Sequence, residues 1–309
     1  MPRRSGVLAA LAALAAVLSA CGATNDEALR SSLAALRTPP VTSSSPPTPD
    51  VKCAHPTWSL RPAGPGPSVE AIRRRGRLIA GVDQNTLLLG YANPLHGQRI
   101  EGFEIDLLHE LSRALFGRPD RIEFRALTTA ERLSAAKAGS VDIVADAFSI
   151  NCYRASQVEF SSVYLLAGQR VLVPSDSPAR SLKDLSGKRV CSTKGSTSIA
   201  RLAEYPGVIP HPVAQRTDCL VALQRGEADA ITSDDAILLG FQAQDPYTKL
   251  IGPAIEPEPY GMAISKSRPD LVRWVNGQLA RMRADGTWRR LYRKWLPGTP
   301  RHPPVHYRD

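Results

Sequence analysis

Two stretches of the chain share one pattern of apolar and polar residues. Residues 133–144 (LSAAKAGSVDIV) and residues 220–231 (LVALQRGEADAI) each read as an amphipathic helix, a glycine at its C-terminal cap and a short apolar strand. Each stretch is preceded by a strand that begins at a glycine, Gly76 in the first case and Gly187 in the second. This repetition predicts two similar α/β units.

The first unit shows the helical period most clearly in GFEIDLLHELSRALFG, residues 102–117. Ile105, Leu108, Leu111 and Leu115 fall on one helical face, and Gly117 is placed to end the helix. Apolar strands at 78–82, 122–125 and 142–147 alternate with helices. This alternation is typical of a mainly parallel sheet that is covered by helices on both faces.

The second unit is predicted to be inserted into the first. After residues 170–252 the chain offers one more strand, 260–265, and two helices, 269–284 and 287–295, which lack a partner unit and must pack on the first lobe. The chain then crosses between lobes twice, near 167–171 and 258–262, and two crossings form a hinge. The expected fold is α/β and two-lobed, with a mainly parallel sheet flanked by helices in each lobe. Lobe 1 comprises 70–168 and 259–296, and lobe 2 comprises 169–258.

The N-terminus has the features of an export signal. Arg3 and Arg4 precede an apolar run of about twelve residues, 7–18, which is too short to cross a bilayer that needs roughly twenty. The run ends in LSAC, residues 18–21, which resembles the lipobox of bacterial lipoproteins, in which the cysteine is acylated. We therefore expect a signal peptide at 1–20 and a lipid on Cys21 as the only membrane anchor. The alternative is a plain secretory signal with an incidental cysteine.

Two proline-rich segments flank the predicted lobes. Residues 39–67 contain nine prolines among Ser, Thr and Gly, a composition that buries little apolar surface and stays extended. Residues 21–69 are accordingly predicted to be a tether between the lipid and lobe 1. The tail, residues 297–309, is also proline-rich and is predicted to be disordered.

Charge and cysteine content limit the possible partners. The formal net charge of +10 falls to about +8 without the signal peptide, and the basic residues are spread along helices, which is typical of solvated faces and argues against nucleic acid. Four cysteines remain after Cys21, and in an oxidising compartment they suggest two disulfides with three possible pairings. No CxxC spacing is present, so neither a metal nor another cofactor is expected.

Polar residues follow the predicted strands of both units. Asp83, residues 146–149, residues 192–198 and residues 233–235 all lie just past the end of a strand. Ligands of open α/β sheets bind beyond the carboxyl ends of the strands. These segments are therefore the candidate binding site.

Six motifs in order resemble an amino-acid-binding protein of a polar amino-acid ABC importer, a two-lobed periplasmic-binding protein of the type II class. They are GRLIAGVD (76–83), IEGFEIDLLHEL (100–111), R…VEFSSVYL (154–165), SLKDLSGKRVCSTKGSTS (181–198), GEADAITSDDAIL (226–238) and ADGTWRRLYRKWL (284–296). The resemblance covers residues 72–296. The lipobox, the tether and the pair Cys191 and Cys219 are most similar to the glutamate/glutamine-binding lipoproteins of actinobacteria. We expect Cys191, at a strand end, to bond Cys219, at a helix start, which leaves Cys53 to bond Cys152.

The resemblance assigns Arg154 to the α-carboxylate of the ligand. A guanidinium forms a planar fork that binds a carboxylate through two hydrogen bonds, and Ser149 can add a hydroxyl. Ser196 and Thr197 open a helix on the opposite lobe, where free N–H groups favour an anion. Asp234 is the position at which the family binds the ammonium, with Asp83 and the carbonyl of Ala147 as helpers. The alternative is that Asp235 makes this contact and Asp234 caps a helix.

The side chain of the ligand is expected to meet Phe148, Asp146 and Lys194. Asp146 and Lys194 sit at matched strand ends on opposite lobes, so they pair either with each other or with the ligand. A side-chain amide can accept a hydrogen bond from Lys194 and donate one to Asp146, which favours glutamine or asparagine slightly over glutamate or aspartate. The alternative is that both side chains point to solvent.

The predicted function is capture of a polar amino acid by cleft closure and its delivery to the permease of an ABC importer. The protein is expected to be a monomer, lipid-anchored on the outer face of the cell membrane. One alternative is a sensor that presents the closed lobes to a membrane signalling partner. Another is a dehydratase-like enzyme on the same scaffold, which needs a positioned acid or base in the cleft. No histidine lies close to the pocket motifs, so we expect no enzyme activity.

Overall fold

The computed structural model describes residues 51–308. Cys21 and the predicted signal peptide lie outside the described residues. The strands are β1 Ser59–Leu60, β2 Leu78–Val82, β3 Asn85–Thr86, β4 Gly90–Asn93, β5 Arg99–Glu101, β6 Ile122–Ala126, β7 Ile143–Val144, β8 Glu159–Phe160, β9 Leu165–Pro174, β10 Arg189–Thr193, β11 Ile209–Val213, β12 Ala230–Asp234, β13 Thr248–Ile251, β14 Pro257–Tyr260, β15 Ala263–Ile264 and β16 Tyr307–Arg308. The helices are α1 Pro67–Arg75, α2 Phe103–Phe116, α3 Arg132–Ala138, α4 Cys152–Gln157, α5 Thr197–Arg201, α6 Arg216–Gln224, α7 Asp235–Gln244, α8 Pro269–Ala284 and α9 Thr287–Trp295.

Each lobe contains a sheet in which one strand runs against the other four. In lobe 1 the order is β6-β2-β7-β15-β8, and β15 is antiparallel to both of its neighbours. In lobe 2 the order is β11-β10-β12-β9-β13, and β9 is antiparallel to both of its neighbours. The mainly parallel sheets predicted from the sequence are therefore confirmed.

The hinge consists of two paired strands. The long strand β9 leaves lobe 1 and continues into the sheet of lobe 2, and β14 brings the chain back. Their antiparallel register pairs Gly168 with Pro257 and Leu165 with Tyr260. Both crossings coincide with the predicted ranges, so the two-strand hinge is confirmed.

The helices follow the apolar patterns of the sequence. In α2 the predicted face of Ile105, Leu108 and Leu111 is fully buried, and the backbone turns left-handed at Gly117, where φ is 72°. The C-terminal helices α8 and α9 begin and end where the sequence predicted, and they pack on α2 of lobe 1. The insertion of lobe 2 into lobe 1 follows from this packing.

The two proline-rich flanks differ from the sequence prediction where the structure describes them. Ser59–Leu60 pairs in parallel with Tyr307–Arg308, and the side chain of Asn276 donates to the carbonyl of Leu60 at 2.6 Å. The ring of His302 lies 4.5 Å from that of Trp288. The end of the tether and the tail thus form a two-stranded sheet on lobe 1, because each supplies backbone partners that the other lacks.

Both expected disulfides are present. Cys191 bonds Cys219 within lobe 2, and Cys53 bonds Cys152 at the first residue of α4. The second bond fixes the chain before β1 to the helix that carries Arg154. No helix within residues 51–308 is long and apolar enough to cross a membrane.

Candidate ligand-binding site

Arg154 lies at the interface between the lobes and bonds to both. The side chain of Asn151 accepts a hydrogen bond from the N–H of Arg154 at 2.8 Å, which starts α4. Nη1 donates to the carbonyl of Ser149 in lobe 1 at 2.7 Å, and Nη2 donates to the carbonyl of Gly195 in lobe 2 at 3.0 Å. Burial and, after it, the charge of Arg132 lower the pKa of Arg154 to about 9. The guanidinium is still positively charged at neutral pH, in a closed cleft.

Phe148 packs beneath two guanidinium groups. Its ring centroid lies 4.4 Å from Cζ of Arg132 and 5.0 Å from Cζ of Arg154, and the ring packs edge-on against Phe160. Cation–π contacts of this kind attract a cation to the face of the ring. Phe148 is fully buried and orients both arginines, while its predicted contact with the ligand stays a prediction.

Asp234 ends β12 in lobe 2 and is buried beside the hinge. The hydroxyl of Tyr260, in β14, donates to its carboxylate at 2.5 Å. Burial, followed by the charge of Glu258, raises the pKa of Asp234 to about 7. An ammonium group in contact with this carboxylate would favour its ionised form. Asp235 is engaged differently, because its carboxylate accepts from the N–H groups of Gly168 and Ala236. Asp234 lines the space between the lobes, and its role as the ammonium ligand stays a prediction.

Ala147 has a left-handed backbone, with φ at 43°, which is uncommon for a residue with a side chain. Its N–H donates to Oε1 of Glu104 at 2.7 Å, and its carbonyl accepts from Nη1 of Arg132 at 2.9 Å. Burial raises the pKa of Glu104 to about 7, and the hydroxyl of Tyr164 also donates to this carboxyl group. Glu104 and Arg132 therefore hold the peptide of Ala147 from two sides.

Asp83 and Asp146 of lobe 1 share one guanidinium from lobe 2. Nη1 of Arg216 donates to Oδ1 of Asp146 at 2.7 Å and to Oδ2 of Asp83. Asp83 also accepts from the hydroxyl of Thr86 at 2.9 Å. Burial raises the pKa of Asp146, and the charge of Arg216 acts in the opposite direction. This buried cluster joins the lobes independently of Arg154.

Of the two expected arrangements, the direct pair of Asp146 with Lys194 is not formed, because Asp146 pairs with Arg216. Contact of Asp146 and Lys194 with the ligand stays a prediction. Lys194 lies in the turn that follows β10, and its N–H donates to the carbonyl of Val213 at 2.9 Å. Thr193 lines the space between the lobes, and Lys194 does not.

A small polar cavity of about 10 Å³, room for about one water molecule, lies between the closed lobes. Its lining is rich in hydroxyl groups, and Ser196 among them caps α5 by accepting from the N–H of Ile199 at 3.0 Å. Among residues 51–308 no group of three or more His, Cys, Asp or Glu is arranged to hold a metal ion. The lining residues are Thr129, Arg132, Ala147, Ser149, Thr193, Ser196, Thr197, Ser198, Arg216, Ser233, Asp234 and Ile237.

Of the predicted site residues, the structure brings Ala147, Ser149, Ser196, Thr197 and Asp234 to the cavity wall. Asp83, Asp146, Phe148 and Arg154 lie behind the wall, in contact with residues that line it or flank it.

Sequence reasoning missed Arg132, Arg216, Glu104 and Tyr260. Arg132 and Arg216 are each the first residue of a helix that begins a few residues after a strand. Ser196 was selected from the sequence because it lies at the same kind of helix start. This position could have identified both arginines. Glu104 lay within the recognised motif GFEIDL, and Tyr260 at the start of the strand predicted to return to lobe 1.

The chain matches the family model described as bacterial extracellular solute-binding proteins, family 3, over residues 78–298. It is 32% identical over 235 residues to the ABC transporter glutamine-binding protein GlnH of Bacillus subtilis, covering 75% of this chain and 86% of GlnH. It is 30% identical over 235 residues to the glutamate-binding protein GluB of Corynebacterium glutamicum, covering 72% of this chain and 79% of GluB.

A solved structure with a similar fold is the ancestral amino acid-binding protein AncCDT-1, a precursor of cyclohexadienyl dehydratase. The match has a TM-score of 0.69 at 29% sequence identity, and it covers 74% of this chain and 100% of AncCDT-1. The matched range spans both lobes and the hinge, and the two-lobed fold agrees with it. The chain belongs to family 3 of the bacterial extracellular solute-binding proteins.

Proposed function

We propose that this protein captures a polar amino acid of the glutamine, glutamate, asparagine and aspartate group by closing its two lobes, and delivers it to an ABC importer. The proposal draws on the relatives, which include glutamine- and glutamate-binding proteins of transporters. It also draws on the chemistry of the cleft, which carries charged groups of both signs.

The observation that carries the proposal is the placement of opposite charges on opposite lobes. Arg154 belongs to lobe 1 and Asp234 to lobe 2, and both are buried. Burial lowers the pKa of Arg154 most, and the charge of Asp234 is among the effects that oppose this lowering. A free amino acid carries a carboxylate and an ammonium on one carbon atom. Binding both groups requires the closed arrangement, so the ligand stabilises the closed state by its differential contacts.

The lining favours a polar side chain over an apolar one. Hydroxyl groups and two guanidinium groups surround the cavity, and an apolar side chain would leave these groups without partners. Amides are slightly preferred in this proposal, because an amide both accepts and donates hydrogen bonds.

The geometry supports capture better than catalysis. The carboxylates that could act as acid or base already have partners, since Asp234 accepts from Tyr260 and Asp146 accepts from Arg216. A general base must reach the proton that it abstracts. The dehydratase link of AncCDT-1 therefore stays a property of that relative.

The direct test is isothermal titration calorimetry with all twenty amino acids, on the mature protein and on the Asp234→Asn variant. We expect one or more of the four polar ligands to bind in the micromolar range or below, and Asp234→Asn to weaken binding at least about tenfold through loss of a charged partner. Arg118→Ala is the matched control, because Arg118 is exposed and pairs with the local Asp120. Absence of heat with every amino acid would refute amino-acid capture.

Delivery to an importer and anchoring at Cys21 need separate tests. Uptake of labelled ligand by cells that lack the gene should fall and should recover with the wild-type gene. The Cys21→Ala variant should leave the membrane fraction or remain unprocessed. Normal membrane retention of this variant would refute the lipid anchor, and unchanged uptake would favour sensing over import. Sedimentation of the purified protein with and without ligand should give a monomer.

A further inference from the structure

Arg216 is a cation that the protein itself brings into the cleft. It is the first residue of α6 in lobe 2, and its side chain is 4% exposed and lines the cavity. Its Nη1 bonds Asp83 and Asp146, and its Nη2 donates to the main-chain carbonyl of Asp146 at 3.3 Å. All of these acceptors belong to lobe 1, so the guanidinium crosses the cleft.

The position of Arg216 in its own helix does not explain its burial. The first turn of a helix is the positive end of the helix dipole, where a cation is unfavourable. The end of α6 is capped by its neighbours, since the N–H of Gln215 donates to the carboxylate of Asp218 at 2.9 Å. What stabilises Arg216 therefore lies across the cleft, in carboxylates that are 133 and 70 residues away in the sequence.

We infer that Arg216 determines which ligand side chains the closed cleft accepts. Its guanidinium is hydrogen-bonded to Asp83 and Asp146, so a positively charged ligand side chain is excluded from these carboxylates. The same guanidinium donates hydrogen bonds to a ligand side chain that carries an oxygen acceptor. The inference rests on the proposed function, because it assigns the side-chain end of the same amino-acid site.

Exclusion follows from the charges that a lysine or arginine ligand would meet. Such a side chain would have to displace Arg216 from two buried carboxylates or lie beside its positive charge in a small cavity. A buried charge left without its partner is costly, and like charges in contact are costly as well. Both routes penalise a cationic ligand.

Recognition of an oxygen follows from the donors that remain. A guanidinium has five N–H donors in a fixed plane. Within residues 51–308, the hydrogen bonds of Arg216 come from Nη1 and Nη2, and Nε forms none. Because Arg216 lines the cavity, an amide or carboxylate oxygen of the ligand can accept from the donors that the two aspartates leave.

The test is a matrix of dissociation constants for glutamine, glutamate, asparagine, aspartate, lysine and arginine. The variants are Arg216→Met, Arg216→Lys, and Arg216→Met combined with Asp83→Asn and Asp146→Asn. Arg189→Met is the control, because it removes an ion pair with Asp229 on the same lobe but away from the cleft.

We expect the wild type to bind its best polar ligand at least about 100-fold more tightly than lysine or arginine. Arg216→Met should lose at least about tenfold for that ligand and gain affinity for the cationic ones, because it uncovers two carboxylates. The triple variant should lose the gain, Arg216→Lys should retain the exclusion, and the control should match the wild type.

Lysine or arginine binding within tenfold of the best polar ligand would overturn the inference and leave amino-acid capture standing. An unchanged ratio of cationic to polar ligands in Arg216→Met would also overturn it. If Arg216→Met does not fold, the wild-type panel and Arg216→Lys decide, since loss of exclusion in Arg216→Lys contradicts the charge argument. Absence of binding to all six ligands and to the rest of the twenty amino acids refutes the proposed function itself.

Discussion

Gly240 lies where lobe 2 meets lobe 1. Adding one methyl group there should hinder closure of the lobes without weakening the fold. Gly240 is inside α7, and a Cβ built on it would lie 2.5 Å from the backbone oxygen and 3.5 Å from Cβ of Leu87 in lobe 1. Ordinary carbon–oxygen contacts are about 3.3 Å or longer, so the lobes would have to part by about 0.8 Å. The obstacle is backbone, which cannot turn away as a side chain can.

Gly240→Ala should therefore weaken ligand binding and still stabilise the fold. Alanine in place of a helical glycine gains about 1 kcal/mol of stability in any state in which α7 is formed. In the closed state alone, the overpacked contact costs about 1–3 kcal/mol. Only the closed state binds both ends of the ligand, so the dissociation constant should rise about 5- to 150-fold.

Gly277→Ala is the matched control for helix propensity. Gly277 also lies inside a helix, α8, and its added Cβ would meet nothing closer than the oxygen of Ala63 at 3.7 Å, an ordinary contact. This variant should gain similar stability in a denaturant titration and bind ligand as the wild type does.

The assay is calorimetry for binding, denaturant unfolding for stability, and small-angle scattering for lobe closure with saturating ligand. The reasoning is refuted if Gly240→Ala binds with the wild-type dissociation constant and its scattering shows the same compaction with ligand. Equal losses of affinity in both variants would also refute it, because a clash with Leu87 cannot act at Gly277.

Three further predictions concern charge and covalent bonds. Burial raises the pKa of Asp234 to about 7 in the closed cleft. The ammonium needs the ionised form, so glutamine affinity measured from pH 8 to 5 should fall as the pH drops below 7, by up to about 100-fold at pH 5. A flat profile would contradict this assignment. Arg154→Ala should lose about 2–5 kcal/mol of binding free energy by calorimetry. Arg154→Lys should lose only part of this, because lysine keeps the charge but cannot form the bidentate contact. Wild-type affinity in Arg154→Ala would exclude Arg154 as the carboxylate ligand. Replacing Cys191 and Cys219 with serine opens a loop with a sequence separation of 28. The free energy of unfolding should fall by about 3–4 kcal/mol in a denaturant titration, and ligand binding should be retained. An unchanged free energy of unfolding would show that the bond does not restrain the unfolded chain.

The sequence by itself determined the elements whose signals are local. The ends of α8 and α9 and the left-handed cap at Gly117 were predictable, because apolar period and glycine punctuation act over one or two helical turns. Arg154 was selected through the family resemblance, and its contact with a ligand carboxylate stays a prediction. The two lobes and the hinge followed from the order of such patterns along the chain.

Only the tertiary structure decided which charges meet. Arg216 reaches Asp83 and Asp146 only because the lobes close. Thr193, the last residue of β10, lines the cavity, whereas Lys194 lies in the turn that follows. In the same way, the pairing of Ser59–Leu60 with Tyr307–Arg308 joins the two ends of the described chain. Local patterns determine which helix or strand each segment can form. Contacts between distant segments depend on the register and closure of the whole fold, because many such contacts must form together to offset the conformational entropy lost by the chain.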